Sequence, residues 1–287
     1  MLRYILRRIT MLIPILLVIS IVSFVIIQLP PGDYVATYVQ NLARAGTVLS
    51  QSEIDTLTER YALDRPVFVQ YSRWITNIVL RGDFGTSFAY NRPVSAILRE
   101  RVPRTMGITL AGIFLSWLIA VPIGIYSAVR QYSPLDYVFT LLGFVGLSIP
   151  AFIFAIVLVF IVYRYTGFAV TGIFSPEFVD AAWSFAKFGD MIKNLAIPLL
   201  VLSASGAASL IRILRATLLD ELNKQYVVTA RAKGVAEGRL LIKYPVRIAI
   251  NPLISTVGWI LPVAVGGEVV VSQVLNLPTT GPILISS

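Results

Sequence analysis

The sequence predicts an all-α fold, a polytopic bundle of membrane-spanning helices, on three observations. Hydrophobic residues make up 56% of the 287 and charged residues only 14%, with a mean hydropathy of +0.79. A soluble domain is about 25% charged and about 45–50% apolar, and a fold of this size has too little interior to hide the excess. Five runs contain no Asp, Glu, Lys or Arg: Ile9–Gly32, Thr105–Val129, Tyr137–Tyr163, Asn194–Ile211 and Ile248–Gly267, each 18 to 27 residues long. A helix needs about 20 residues to cross about 30 Å of hydrocarbon. These runs also lack period-two alternation, which selects helices over barrel strands.

The first run follows Arg3, Arg7 and Arg8 and ends in Leu29-Pro30-Pro31-Gly32-Asp33 without a small-residue cleavage site. It therefore reads as a retained span, not a signal peptide. Its basic flank places the N-terminus in the cytoplasm. Alternation then puts 33–104, 164–193 and 268–287 outside, and 130–136 and 212–247 inside. Segment 212–247 carries eight basic residues against Asp220, Glu221 and Glu237, and no Lys or Arg follows the fifth run. Of the net charge of +9, the cytoplasmic segments supply +8 and the external ones +1. The basic balance is thus a topology signal and needs no nucleic acid to explain it. At Pro278–Ser287 a new apolar stretch begins, and a sixth span is expected beyond it.

The external segment 33–104 reads as an extracytoplasmic cap. Ser50-x-x-Glu53 has the form of a capping box, with Ile54, Leu57 and Tyr61 at helical spacing after it. Phe68, Tyr71, Ile75 and Ile78 predict a second amphipathic helix. Pro93 opens a third, leading through Val94, Ile97 and Leu98 to Arg101. The cap either packs over the helix ends or docks an external partner.

Chemistry inside the spans is sparse. With no Cys and no His, thiolate sites, disulfides and histidine acid–base catalysis are excluded, and no catalytic or metal-ligating set emerges. No acid pair lies in the spans for a membrane-embedded hydrolase, nor a carboxylate chain for a secondary carrier. Ser203, Ser205, Gly206 and Ser209 form a small-residue stripe, suited to close helix packing and, alternatively, to lining a hydrated translocation path. Glu268, at the outer end of the fifth run, is either an interfacial carboxylate or part of that path. Pro14, Pro122, Pro150, Pro198 and Pro262 put one proline in every run, each freeing a carbonyl and permitting a bend.

Segment 212–247 is the informative one. Gln225–Lys233 predicts a short helix, Gly234 a left-handed reversal, and Val235–Tyr244 a second helix with Leu240, Leu241 and Tyr244 on one face. The product is a helix–Gly–helix elbow, 225–245, within a cytoplasmic loop.

Tyr226-Val227-Val228-Thr229-Ala230-Arg231-Ala232-Lys233-Gly234, followed by Tyr244-Pro245-Val246-Arg247-Ile248-Ala249-Ile250-Asn251, resembles the cytoplasmic loop of binding-protein-dependent ABC importer permeases. It most resembles their dipeptide/oligopeptide/nickel branch. The likeness runs through the opening Met1-Leu2-Arg3-Tyr4-Ile5-Leu6-Arg7-Arg8, Pro31-Gly32-Asp33, Leu63-Asp64-Arg65-Pro66 and Gln70-Tyr71-x-x-Trp74. It continues through Gly82-Asp83-Phe84-Gly85-Thr86-Ser87, Arg101-x-Pro103-x-Thr105 and Leu147-Ser148-Ile149-Pro150. Val228, Thr229 and Ala230 stand where the wider family has Glu-Ala-Ala, so that acid is absent here.

The resemblance implies a single permease domain over 1–287 in a prokaryotic plasma (inner) membrane. Its elbow would be a coupling helix, with Tyr226, Thr229, Ala230, Arg231, Ala232, Lys233 and Gly234 meeting an ATPase. It implies two cytoplasmic ATPase subunits that use ATP and Mg²⁺, a second homologous permease, and an extracytoplasmic solute-binding protein docking on the cap. This chain has no G-x-x-x-x-G-K-[ST] phosphate loop and supplies no ATP chemistry itself. Peptides are the expected solute, with oligosaccharides or chelated nickel as alternatives within the class, and a self-contained channel or carrier outside it.

Overall fold

The computed structural model describes residues 2–29, 39, 50–87, 89–169 and 172–286. The Pro31-Gly32-Asp33 motif and the end of the first run lie outside the described residues. The chain divides into two compact units, Met1–Ile97 and Leu98–Ser287.

In the first unit, α1 (Leu2–Gln28) runs through Pro14 without a break. Helices α2 (Gln51–Tyr61) and α3 (Val67–Thr76) follow, α3 continuing as a π-turn over Asn77–Arg81. The predicted capping box is formed: the Glu53 carboxylate accepts from the Ser50 N–H at 2.8 Å and its hydroxyl at 2.7 Å. Those bonds hold the Glu53 carboxyl below its usual range. Ala62 closes α2 in the left-handed region (φ 55°). Helix α3 packs on α1 through an aromatic group in which the Phe24 ring lies 5.5 Å from Tyr71 and 5.6 Å from Trp74. The Ser20 and Tyr71 hydroxyls bond at 2.8 Å, and Gln28 donates to Gln70 at 3.0 Å. Phe68, expected on that face, is instead 76% exposed. The half-buried face of α3 includes Trp74, which the spacing of Phe68, Tyr71, Ile75 and Ile78 does not pick out. A two-residue ribbon pairs Thr86–Ser87 with Arg92–Pro93, and Val94 opens the next helix.

That helix, α4 (Val94–Val129), joins the expected third cap helix and the second apolar run into one element of 36 residues, passing Pro103 and Pro122. In the second unit α4 is followed by α5 (Pro134–Ser148), α6 (Ala151–Thr166) and α7 (Phe185–Leu222). The elbow helices α8 (Gln225–Ala232), α9 (Glu237–Lys243) and α10 (Pro245–Ala249) come next, then α11 (Asn251–Val274) and α12 (Gly281–Ser286). Among the described residues four helical stretches are long and apolar enough to cross a membrane, and a bent pair makes a fifth if counted as one span.

The bent pair is the third run. Instead of one straight helix over Tyr137–Tyr163, α5 and α6 meet at 108°. Pro150 is the cause: it offers no N–H to the Gly146 carbonyl and pushes Ile149 into extended backbone (φ −87°, ψ 123°). The other span prolines stay inside continuous helices. Gly143 and Gly146 lower the helix propensity of the turns before Pro150, so this run yields there.

The core of the second unit lies along α7. Leu210, Leu214 and Leu218 pack with Ala120 and Ala128 of α4 and with Val246, Ala249 and Leu253 beyond the elbow. Further along α7, Ile197 and Val201 pack with Ala155, Val271 and Leu275. Small residues bring α4 and α7 together. A Cβ on Gly206 would come within 2.8 Å of the Ser116 Oγ, and one on Gly124 within 3.0 Å of Leu214. Such spacing lets van der Waals packing and interhelical hydrogen bonds replace the hydrophobic drive that lipid removes.

Candidate functional site

The elbow is built from α7 outward. Residues 212–222, which the charge pattern assigns to a loop, continue α7 as helix, so α7 spans 38 residues and about 57 Å. Only Asn223 and Lys224 separate it from α8. The Tyr226 hydroxyl turns back to donate to the Glu221 carboxylate at 2.5 Å. Burial, then this bond, pushes the Tyr226 phenol up to about 12.

Helix α8 ends in a Schellman turn. The Gly234 N–H donates to the Arg231 carbonyl at 3.0 Å, and the Val235 N–H to the Ala230 carbonyl at 3.3 Å. Gly234 has φ +76°, and a Cβ there would touch nothing within 4 Å. Backbone handedness, not crowding, selects glycine here. The turn folds α9 onto α8, so that Val227, Ala230 and Leu240 form a small core flanked by Tyr226, Val235 and Tyr244. Arg231 forks onto Glu237 across the turn at 2.5 and 3.3 Å. Both side chains are about half exposed, so water screens the pair and it adds little to stability. Finally, α10 is anchored to α7 by the Thr217 hydroxyl, which donates to the Ala249 carbonyl at 3.1 Å.

The coupling residues expected from the sequence thus divide. Thr229, Arg231, Ala232, Lys233 and Gly234 are exposed. Tyr226 is half-buried, and Ala230 is 8% exposed and faces the elbow's own core. Val228 and Ile242 add large exposed apolar side chains to α8 and α9. The elbow therefore presents exposed apolar side chains among basic ones.

The stripe on α7 also divides. Ser203 is fully buried; its hydroxyl donates to the Leu200 carbonyl and its carbonyl accepts from Ser116 at 3.1 Å. Gly206 sits against Ser116, Ser209 is half-buried and Ser205 is exposed. Glu268 lies within α11, and its side chain is outside the described residues.

One pair escaped the sequence reading. Asp136, 2% exposed, takes a bidentate fork from Arg215, Nε to Oδ1 at 3.0 Å and Nη2 to Oδ2 at 2.9 Å. Charge counts alone do not pair them. Ser133-Pro134-x-Asp136, an N-cap followed by an acid in the first helical turn, was the available signal. The Ser133 hydroxyl does accept from the Asp136 N–H at 3.2 Å. The fork brings segment 130–136 to the same end of the unit as residue 215. At the other end, the Thr280 N–H donates to the Thr105 hydroxyl at 2.9 Å. The first pairing joins two segments that the charge pattern assigns to one side.

Residues 120–287 match the family described as the binding-protein-dependent transport system inner membrane component, and residues 1–109 match the N-terminal family of such membrane components. The chain is 38% identical over 285 residues to the oligopeptide transport system permease protein of Bacillus subtilis, covering 99% of this chain and 86% of that protein. It is 36% identical over 290 residues to a Brucella suis protein named as a peptide permease, covering 100% and 87%. Identity to the glutathione transport system permease protein of Salmonella paratyphi A is 33% over 287 residues, again 100% and 87%. A polytopic helical fold, an elbow at the expected position and family matches along nearly the whole length converge: the chain belongs to the binding-protein-dependent inner membrane components, the multi-pass permease subunits of ABC importers.

Proposed function

We propose that this permease carries peptides, and that the elbow 225–245 is where ATPase subunits act on it. The exposed row Thr229, Arg231, Ala232 and Lys233, mounted on a glycine-closed turn with its own small core, is the observation that carries the coupling role. A rigid projection transmits displacement, whereas a flexible tether would absorb it. The names of the relatives, which refer to oligopeptides, peptides and glutathione, support the solute class. Two ATPases, a second permease of like architecture and an external binding protein complete the assembly. The N-terminus and the elbow face the cytoplasm, and the 33–104 segment receives the binding protein. Ser205, Ser209 and Glu268 are the stripe and span residues assigned to the path, whereas Ser203 and Gly206 serve helix packing.

The test uses the complete complex in proteoliposomes, supplied with the loaded binding protein and a labelled oligopeptide. Ala232→Trp and Thr229→Glu enlarge or recharge exposed positions and leave the elbow core untouched. Each is expected to reduce peptide-stimulated ATP hydrolysis to the unstimulated rate. Wild-type stimulation in assembled variant complexes would refute the coupling role. Ala230→Glu is the weaker choice, because Ala230 packs inside the elbow and its loss would unfold the projection itself.

A further inference from the structure

The Asp136–Arg215 fork joins two elements that move for different reasons if the elbow is pushed from outside. Arg215 stands on α7, nearly three turns before the elbow, and α7 is tied to the elbow helices by Tyr226–Glu221 and Thr217–Ala249. Asp136 begins α5, the first arm of the broken span, 12 residues before the break at Ser148. Asp136 also accepts from the Tyr132 N–H at 3.0 Å, closing a turn in which Tyr132 is held at φ +64°. A bulky residue in that region is strained, and such strain persists only where its surroundings over-determine it. Asp136 is 3% and Arg215 26% exposed by side chain, so the fork is largely shielded from water and geometrically specific.

We propose that Asp136 and Arg215 are positioning residues for transport: their fork is the joint through which displacement of the elbow moves α5 and so reorients the broken span. This rests on the coupling role proposed above. With the joint intact, a push on α8 passes along rigid α7 to Arg215 and through two parallel hydrogen bonds to the start of α5. Without it, only the apolar packing of α5 along α7, as where Gly146 faces Ala208, is left to carry α5, and α5 follows less fully. ATP is then hydrolysed with little solute moved.

The experiment measures peptide taken up per ATP hydrolysed by the full complex in proteoliposomes, with complex assembly quantified in parallel. Asp136→Asn keeps an acceptor for the Tyr132 N–H but removes the charge; Arg215→Gln removes the fork from the other side. Each is expected to lower uptake per ATP about tenfold, within the range typical of coupling between sites. The double variant is expected to be no worse than either single one, because one joint is lost only once. An unchanged ratio, or uptake and hydrolysis falling together in step with assembly, would overturn the proposal. Failure of the underlying coupling role would show in the elbow variants Ala232→Trp and Thr229→Glu, independently of these two positions.

Discussion

Gly234 is where a single residue carries the most structural consequence. Its φ of +76° lies where an L side chain costs about 1–2 kcal/mol, while the space around it is open. Gly234→Val should therefore fray the α8 turn and detach Val235 from the Val227, Ala230 and Leu240 core, lowering co-purification of the ATPase subunits. Gly234→Asn, which tolerates the left-handed region, should retain most of it. If valine and asparagine performed alike in a co-purification assay, the handedness argument would fail. Ala62 shows the alternative solution: a non-glycine residue closes α2 at φ 55°, and its burial to 1% exposure accompanies the strain. Ala230 makes a different point. Motif position groups it with its exposed neighbours, but helical geometry turns it inward.

Among the elements, the α5–α6 break has the sharpest physical requirement. At a 108° bend the last carbonyls of α5 and the first N–H groups of α6 cannot satisfy one another. In hydrocarbon each unpaired group costs several kcal/mol, so such a break must face water or protein. Ser148 sits there and is exposed in the isolated chain. Because the sequence has no Cys, a Ser148→Cys variant carries a single thiol. That thiol should react in the assembled complex with a small charged thiol reagent, faster than a thiol at Leu16, exposed in the middle of the apolar helix α1. Protection equal to that of Leu16→Cys would mean that the break is sealed within protein. The five span prolines looked equivalent in the sequence. Pro150 alone breaks its span: two glycines, Gly143 and Gly146, weaken the turns before it where Pro262 has only Gly258, while Pro122 and Pro198 lie in helices locked together by the Gly206–Ser116 and Gly124–Leu214 contacts.

For the whole molecule, sidedness follows from charge. A charge of +8 on segments assigned to one side and +1 on the other predicts that Ala232→Cys is labelled from the cytoplasm by an impermeant reagent, and Ser52→Cys from outside. Labelling of both from the same side would invert or break the alternation. Pairing of Asp136 with Arg215 joins two segments that the charge pattern assigns to one side.

The sequence alone determined class, the apolar runs and the elbow, because each is written in local chemistry. Apolar run length reports hydrocarbon thickness, basic flanks report sidedness, and a glycine between two amphipathic stretches reports a left-handed reversal. The family likeness was legible for the same reason, its motifs being contiguous. Tertiary structure decided what depends on partners distant in sequence. Residues 212–222 became helix because Leu214 and Leu218 are buried against α4 and α10. The stripe at Ser203 and Gly206 became a packing seam because Ser116 lies against it. Asp136 ceased to be one acid among basic neighbours once Arg215, 79 residues away, closed on it. Periodicity and charge counts record what each residue prefers; which preferences are met is set by what the folded chain brings within a few ångströms.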